Sequence, residues 1–507
     1  MDTERELPNA ATLAASLEGL FELRELTGQM LNALTFLRQE RQTVLTPGGP
    51  DAVVAAVDKA LVHGVLPAAG RGMQDALWPL AEIFLQHSAQ LDSPACVAHL
   101  QCPPLAVAAA AELVVAICNQ SPDMWDCGPF AMELEARLMA TLAGLAGFPD
   151  GAAGVMVPGG SVANLLALVL ARDAVVARQS GADVAARGLR AIPGQHVVLC
   201  SEAAHFCVGR AGAITGLGED HVVRIGTDRE GRMIPGQARK ALESMGPDLR
   251  PIALVATAGT TDTGVFDPLP PLAALCRRYG LWFHVDGAYG GPVIFSPRLR
   301  PLLHGVEQAD SFSLNLHKFG WQPAATSVFL ARDGSVKTSL GREVACLNPR
   351  EEARLGYRDL MDRTLQGTRT ADAFRVVVTL QALGADGMAQ LVERCHDLAR
   401  HTAEKVRHHP HLELATEPNL STVLFRYRPT QQTDTGRLNQ LNLTVRQRLL
   451  ETGRANVGRT VLGPQRDIWL KFALINPHLT DNDIDRLLVE ITTTGDNCHS
   501  GWPRTTE

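Results

Sequence analysis

Residues 154–172 read GVMVPGGSVANLLALVLAR. Gly154–Val157 is a short apolar strand, PGGS a turn, and Val162–Ala177 a helix. The two glycines let backbone approach an anion closely, and the free amides at the helix start point at it. Moving outward, the same alternation continues. His196–Cys200 and Pro251–Thr257 read as strands, Leu269–Tyr279 as a helix and Leu281–Asp286 as a strand, with Ser311–Asn315 and Thr326–Ala331 strand-like. Strands alternating with helices predict an α/β fold whose mainly parallel sheet is covered on both faces. In such sheets, ligands gather at the carboxyl ends of strands.

The flanks differ from this middle part. Residues 11–90 read as helices separated by Gly/Pro punctuation such as TPGGP (46–50). Leu134, Leu138, Leu142 and Leu145 share one helical face that ends at Gly147. Beyond about 385, strands at Thr422–Tyr427 and Ile468–Leu474 and helices at Leu438–Thr452 and Asp481–Thr493 predict a smaller α+β domain. The last stretch, GDNCHSGWPRTTE (495–507), reads as frayed. The expected division is a helical amino-terminal segment (1–115), a large α/β domain (116–385) and a small carboxyl-terminal domain (386–507).

With 47 Lys and Arg against 54 Asp and Glu among 507 residues, the formal charge is −7. No basic footprint for nucleic acid is present. The apolar run Pro103–Cys118 is broken by Glu112 and is too short for a ~30 Å hydrocarbon core, so no membrane partner is expected. The charged MDTERELPNA is unlike a signal peptide. Ten cysteines form no CxxC pair and no zinc-ligand spacing, so reduced cytoplasmic thiols and no metal are expected.

Four features fall at strand ends. PGGSVAN (158–164) is either a phosphate cradle or an ordinary tight turn. Asp286, closing LWFHVD, either caps local structure or holds a cationic heterocycle in its protonated state. Lys318, in Asn315-Leu316-His317-Lys318, is either a solvated strand-end lysine or a Schiff-base lysine whose pKa is lowered by burial. His205, in SEAAHFCV, is either a buried, satisfied histidine or an imidazole that stacks on a flat ring. Together, a cradle, a stacker, a carboxylate and a lysine are what pyridoxal 5'-phosphate requires.

Those residues sit in longer blocks: AHLQCPP (98–104), NQSPDMWDCGPFAMELE (119–135), ATAGTTDTGVFDP (256–268), HVDGAYGG (284–291), SLNLHKFGWQP (313–323) and WLKFALINP (469–477). With them the chain resembles the pyridoxal-phosphate-dependent group II amino-acid decarboxylases over roughly residues 95 to 490. HKFGWQPAATSVFLARD (317–333) and the NQS–WD block are most similar to the diaminobutyrate decarboxylase branch. The resemblance implies the aspartate-aminotransferase (type I) fold with a seven-stranded sheet, and a homodimer with shared active sites clasped by the amino-terminal helices.

The resemblance also implies roles. Lys318 forms the Schiff base and Asp286 pairs with the pyridine nitrogen. His205 stacks on one ring face and Ala288 presses on the other. Gly160, Ser161 and Asn315 bind the phosphate, Thr261 lies near the phenolic oxygen, and His317 sits beside phosphate and lysine. Tyr357, in the polar stretch 349–363, matches a mobile-loop tyrosine that protonates the substrate; a solvated loop tyrosine is the alternative. Val162, Leu316 and Gly287 depart from a frequent glutamate, proline and alanine, but none removes a group that Schiff-base chemistry needs.

Ser121 and Asp123 align where aromatic-amino-acid decarboxylases carry apolar residues from the partner subunit. An acidic side chain there can pair with a distal ammonium, which favours a short basic substrate such as L-2,4-diaminobutyrate. Alternatively, Asp123 caps a helix or faces solvent. A decarboxylase of glutamate, aspartate or cysteine sulfinate keeps the same cofactor set, as does a decarboxylating aldehyde synthase or lyase.

Overall fold

The computed structural model describes residues 11–500 apart from 335–338, 345–346, 358, 432 and 464. Seven strands form the larger sheet: β1 (Ala153–Pro158), β2 (Gln195–Ser201), β3 (Val222–Ile225), β4 (Leu249–Thr257), β5 (Trp282–Gly287), β6 (Ser311–Asn315) and β7 (Thr326–Ala331). Their order is β1-β7-β6-β5-β4-β2-β3. β7 runs antiparallel to β1 and β6, and every other adjacent pair is parallel. The reversal has a simple cause. The connection 316–325 is too short for the crossover of about a dozen or more residues that a parallel return needs.

β5, β6 and β7 are buried along their whole length, as expected where helices cover both faces. One core fills the side of helix Leu269–Tyr279. A second lies under α6 (Gly160–Ser180). Among the described residues α6 alone is long and apolar enough by composition to cross a membrane, and its apolar side chains pack against the sheet. The sequence reading passed over β3, a four-residue strand with only two buried positions, and the helices Cys207–Ile214 and Pro235–Glu243.

A second, antiparallel sheet has the order β10-β11-β9-β8, from β8 (Leu412–Leu414), β9 (Thr422–Tyr427), β10 (Gly458–Leu462) and β11 (Asp467–Ala473). It shares its own core with helices Thr435–Glu451 and Asp481–Ser500. This last helix corrects the expectation of a frayed end at 495. Tyr427 donates to Asp496 at 2.6 Å. A Cβ on Gly495 would meet the Tyr427 ring at 2.6 Å, so the helix is docked on the sheet at 495–496 and continues to Ser500. Residues 501–507 lie outside the described residues. The long helix Asp372–His408 breaks at Gly384, where φ is 65° and ψ −178°, a conformation suited to glycine.

The amino-terminal part is helical as expected, with α1 (Leu17–Glu40), α2 (Gly49–Ala60) and α3 (Met73–His87), followed by α4 (Ala106–Cys118) and α5 (Pro129–Leu145). α1 buries only Gly19, and α2 and α3 bury nothing.

Candidate active site

Three predicted residues meet at the carboxyl edge of the parallel strands. Asp286, near the end of β5, is buried. Its Oδ1 accepts from the Ala288 amide at 2.9 Å and its Oδ2 from Asn164 Nδ2 at 2.7 Å. Lys318 follows β6 in the short helix Leu316–Phe319. Burial pushes its ammonium below the usual lysine range, against the upward pull of Asp286. His205, between β2 and helix Cys207–Ile214, is lowered by burial and feels the charges of both Asp286 and Lys318. Its ring lies 4.2 Å from that of Phe206, and its Nδ1 accepts from the Cys207 amide at 3.3 Å.

The PGGS turn forms the adjoining wall. Gly159 has φ 98° and gives α6 no side-chain cap; its carbonyl takes the Val162 and Ala163 amides, which leaves those of Gly160 and Ser161 for an outside acceptor. A Cβ on Gly160 would come within 3.1 Å of the Ala288 Cβ and the Asn315 amide group, so these three predicted residues enclose one cradle. Ser161 hydrogen-bonds Cys207, which also feels Asp286 and Lys318. Ser327 donates to Asn315 Oδ1 at 2.8 Å. His317 donates from Nδ1 to the Thr326 carbonyl at 2.8 Å. The Thr261 carbonyl accepts from Lys471 at 2.6 Å.

The residues present suit pyridoxal phosphate. Thr257 and Ser313 are paired with Asp286 on its two neighbouring strands, and both hydroxyls are buried without a partner among the described residues. Such groups beside a desolvated lysine and a carboxylate call for a polar occupant. The open amides of α6 suit a phosphate.

The 119–127 segment is anchored separately. Arg369 donates from its backbone to Ser121 Oγ at 3.1 Å and from its guanidinium to Glu135 at 3.0 Å. Glu135 in turn accepts from the Met156 amide of β1 at 2.9 Å. Asp123 is 7% exposed, and its Oδ1 has no hydrogen-bond partner among the described residues. Tyr357 contacts the 119–127 segment. It is 44% exposed and its ring meets Trp125 edge-on at 5.0 Å.

Sequence reading passed over three residues here. Asn164 sits in the quoted PGGSVAN. His284 is two residues before Asp286, a spacing that puts both side chains on one face of a strand. Lys471, from β11, is buried and lies 3.2 Å from Asp262; its charge is felt at Lys318. It lies in the quoted WLKFALINP.

Residues 74–428 match the model of a family described as the pyridoxal-dependent decarboxylase conserved domain. The chain is 38% identical over 424 residues to the L-2,4-diaminobutyrate decarboxylase of Rhizobium meliloti (strain 1021), covering 83% of this chain and 82% of the relative. It is 31% identical over 398 residues to the cysteine sulfinic acid decarboxylase of Mus musculus, with 76% and 79% covered. The crystal structure of the glutamate decarboxylase domain of a diaminobutyrate-pyruvate transaminase and L-2,4-diaminobutyrate decarboxylase from Vibrio parahaemolyticus superposes with a TM-score of 0.83 at 28% identity. That match covers 95% of this chain and 97% of the other, and it carries the expected type I arrangement.

Proposed function

Because this chain belongs to the pyridoxal-dependent decarboxylase family, a family of amino-acid carboxy-lyases that use pyridoxal phosphate, we propose that its substrate is a short basic amino acid such as L-2,4-diaminobutyrate. The observation that carries the substrate is Asp123. A buried carboxylate oxygen without a partner is costly until a cation or donor reaches it. A distal ammonium answers that need, and a second carboxylate would aggravate it. The identity to a diaminobutyrate decarboxylase supports the same reading.

When bound, the cofactor supplies a pyridinium ring that takes up the electron pair left as the carboxylate departs as CO2. In our reading, Lys318 holds the cofactor through Nζ, and its lowered pKa keeps a share of the amine neutral and nucleophilic. Asp286 holds the proton at the ring nitrogen. His205 and Ala288 would hold the ring from its two faces. Gly160, Ser161 and Asn315 take the phosphate, with His317 beside it, and Thr261 lies near the phenolic oxygen. Tyr357 delivers a proton to the substrate Cα when its loop closes and excludes water.

We also place the enzyme in the cytoplasm as a homodimer in which Ser121 and Asp123 serve the partner's site. The bare faces of α1–α3 support the dimer. The separate core of the second sheet and the break at Gly384 support the division at about 385, whereas the one at about 115 falls inside α4.

A second reading, decarboxylation of an acidic amino acid, draws on Lys471, a buried cation near Lys318. Its ammonium is already engaged by Asp262 and the Thr261 carbonyl, which weighs against it. The test is an amino-acid panel scored for both CO2 and amine. Turnover of 2,4-diaminobutyrate well above glutamate, aspartate, cysteine sulfinate and aromatic amino acids is expected; preference for an acidic substrate would overturn the proposal.

A further inference from the structure

Behind Asp286 lies a line of buried hydrogen bonds. Trp282 donates from Nε1 to Ser311 Oγ at 2.8 Å, and Ser311 Oγ is 2.8 Å from His284 Nδ1. His284 Nε2 is 2.8 Å from Asn164 Oδ1, and Asn164 Nδ2 donates to Asp286 Oδ2. His284 and Ser311 are register partners on β5 and β6. Asn164 reaches them from the first turns of α6. All five residues are buried.

The two ends set the direction of every bond. An indole N–H can only donate, and a carboxylate oxygen accepts. Asn164 Nδ2 directs its two N–H groups to Asp286 Oδ2 and to Cys207 Sγ at 3.0 Å, so its Oδ1 must accept. The donor is His284 Nε2–H, which leaves Nδ1 to accept from the Ser311 hydroxyl. Ser311 oxygen then takes the indole N–H. Each group donates toward Asp286, and bonds aligned this way reinforce one another. Burial also drives His284 well below the usual histidine range and so favours the neutral ring.

We infer that Asn164, oriented by His284 in its neutral Nε2–H form, is a positioning residue that fixes the Asp286 carboxylate toward the cofactor's ring nitrogen. The inference rests on the assignment of Asp286 made above. Without Asn164 the carboxylate loses its strongest lateral donor and is free to rotate about its Ala288 contact.

Two measurements test this. Nitrogen-15 NMR of histidine-labelled apoenzyme, with the His284 signal assigned by its loss in His284→Gln, should show the neutral Nε2–H tautomer. An Nδ1–H tautomer, or an imidazolium at neutral pH, would overturn the inference without reference to any cofactor. The second compares dissociation constants for pyridoxal phosphate and its 1-deaza analogue, which has carbon in place of the ring nitrogen. Wild type should prefer pyridoxal phosphate, and Asn164→Ala should lose about tenfold of that preference, the scale of one hydrogen bond to a charged group. Its affinity for the analogue should barely change. A full wild-type preference in Asn164→Ala would overturn the positioning role. If wild type itself shows no preference, the Asp286 assignment falls, and the inference with it, whatever the tautomer.

Discussion

The rings of Tyr357 and Trp125 meet edge to face with centroids 5.0 Å apart, so the tyrosine of the 349–363 stretch rests on the segment that carries Ser121 and Asp123. An isolated antiparallel bridge between Met124 and Asp359 joins the same two stretches. The two therefore form one unit. Tyr357→Phe keeps the ring contact and removes only the hydroxyl. Amine formation should fall by about 100-fold or more, the scale of a lost general acid, with carbonyl product rising relative to amine and cofactor binding unchanged. Product analysis by mass spectrometry checks this. An unchanged amine yield would assign the proton to another group.

Asp123→Asn tests the substrate reading. The amide is nearly isosteric but uncharged, and a hydrogen bond to a charged group contributes about 1.5–3 kcal/mol. At ~1.4 kcal/mol per decade, kcat/KM for 2,4-diaminobutyrate should fall roughly 10- to 100-fold. Cofactor affinity should stay at the wild-type value. Steady-state kinetics on the holoenzyme measure both.

The helices α1–α3 expose Phe21 at 62%, Phe36 at 63% and Phe84 at 72%. Amphipathic helices of this length gain most of their stability from packing, and a second copy supplies that packing. Sedimentation should give a dimer. Replacing Phe21 and Phe84 together with Ser should shift it toward monomer and lower activity in parallel. A fully active monomer would remove the case for shared sites.

The lowered Lys318 carries a pH signature. Only the neutral amine condenses with an aldehyde, and the folded-state value lies below the ordinary lysine range because burial penalises the charged form. The rate of pyridoxal phosphate uptake by apoenzyme should therefore rise with pH and level off below that range. Stopped-flow absorbance follows it. An inflection at the ordinary lysine value would mean that Lys318 is solvated in the apoenzyme.

Much of the fold was legible because apolar strands end in polar groups at a single edge. VMVPGGS, LWFHVDG and FSLNLHK each announce a buried strand followed by chemistry, and Asp286 and Lys318 do meet there. What escaped the reading depends on partners distant in sequence. β3 is short and gains its place from pairing with β2. Gly495 and Asp496 looked like a loose end because their partner, Tyr427, lies on another element. Asn164 and His284 read as ordinary members of an apolar helix and strand. Only the packing of α6 on β5 turns them toward each other.

The most direct measurement is reduction of the holoenzyme with borohydride followed by peptide mapping. The account predicts that the pyridoxyl label lies on Lys318, and that Lys318→Ala neither takes the label nor turns over substrate. A label on Lys471, a second buried lysine near the site, would contradict it.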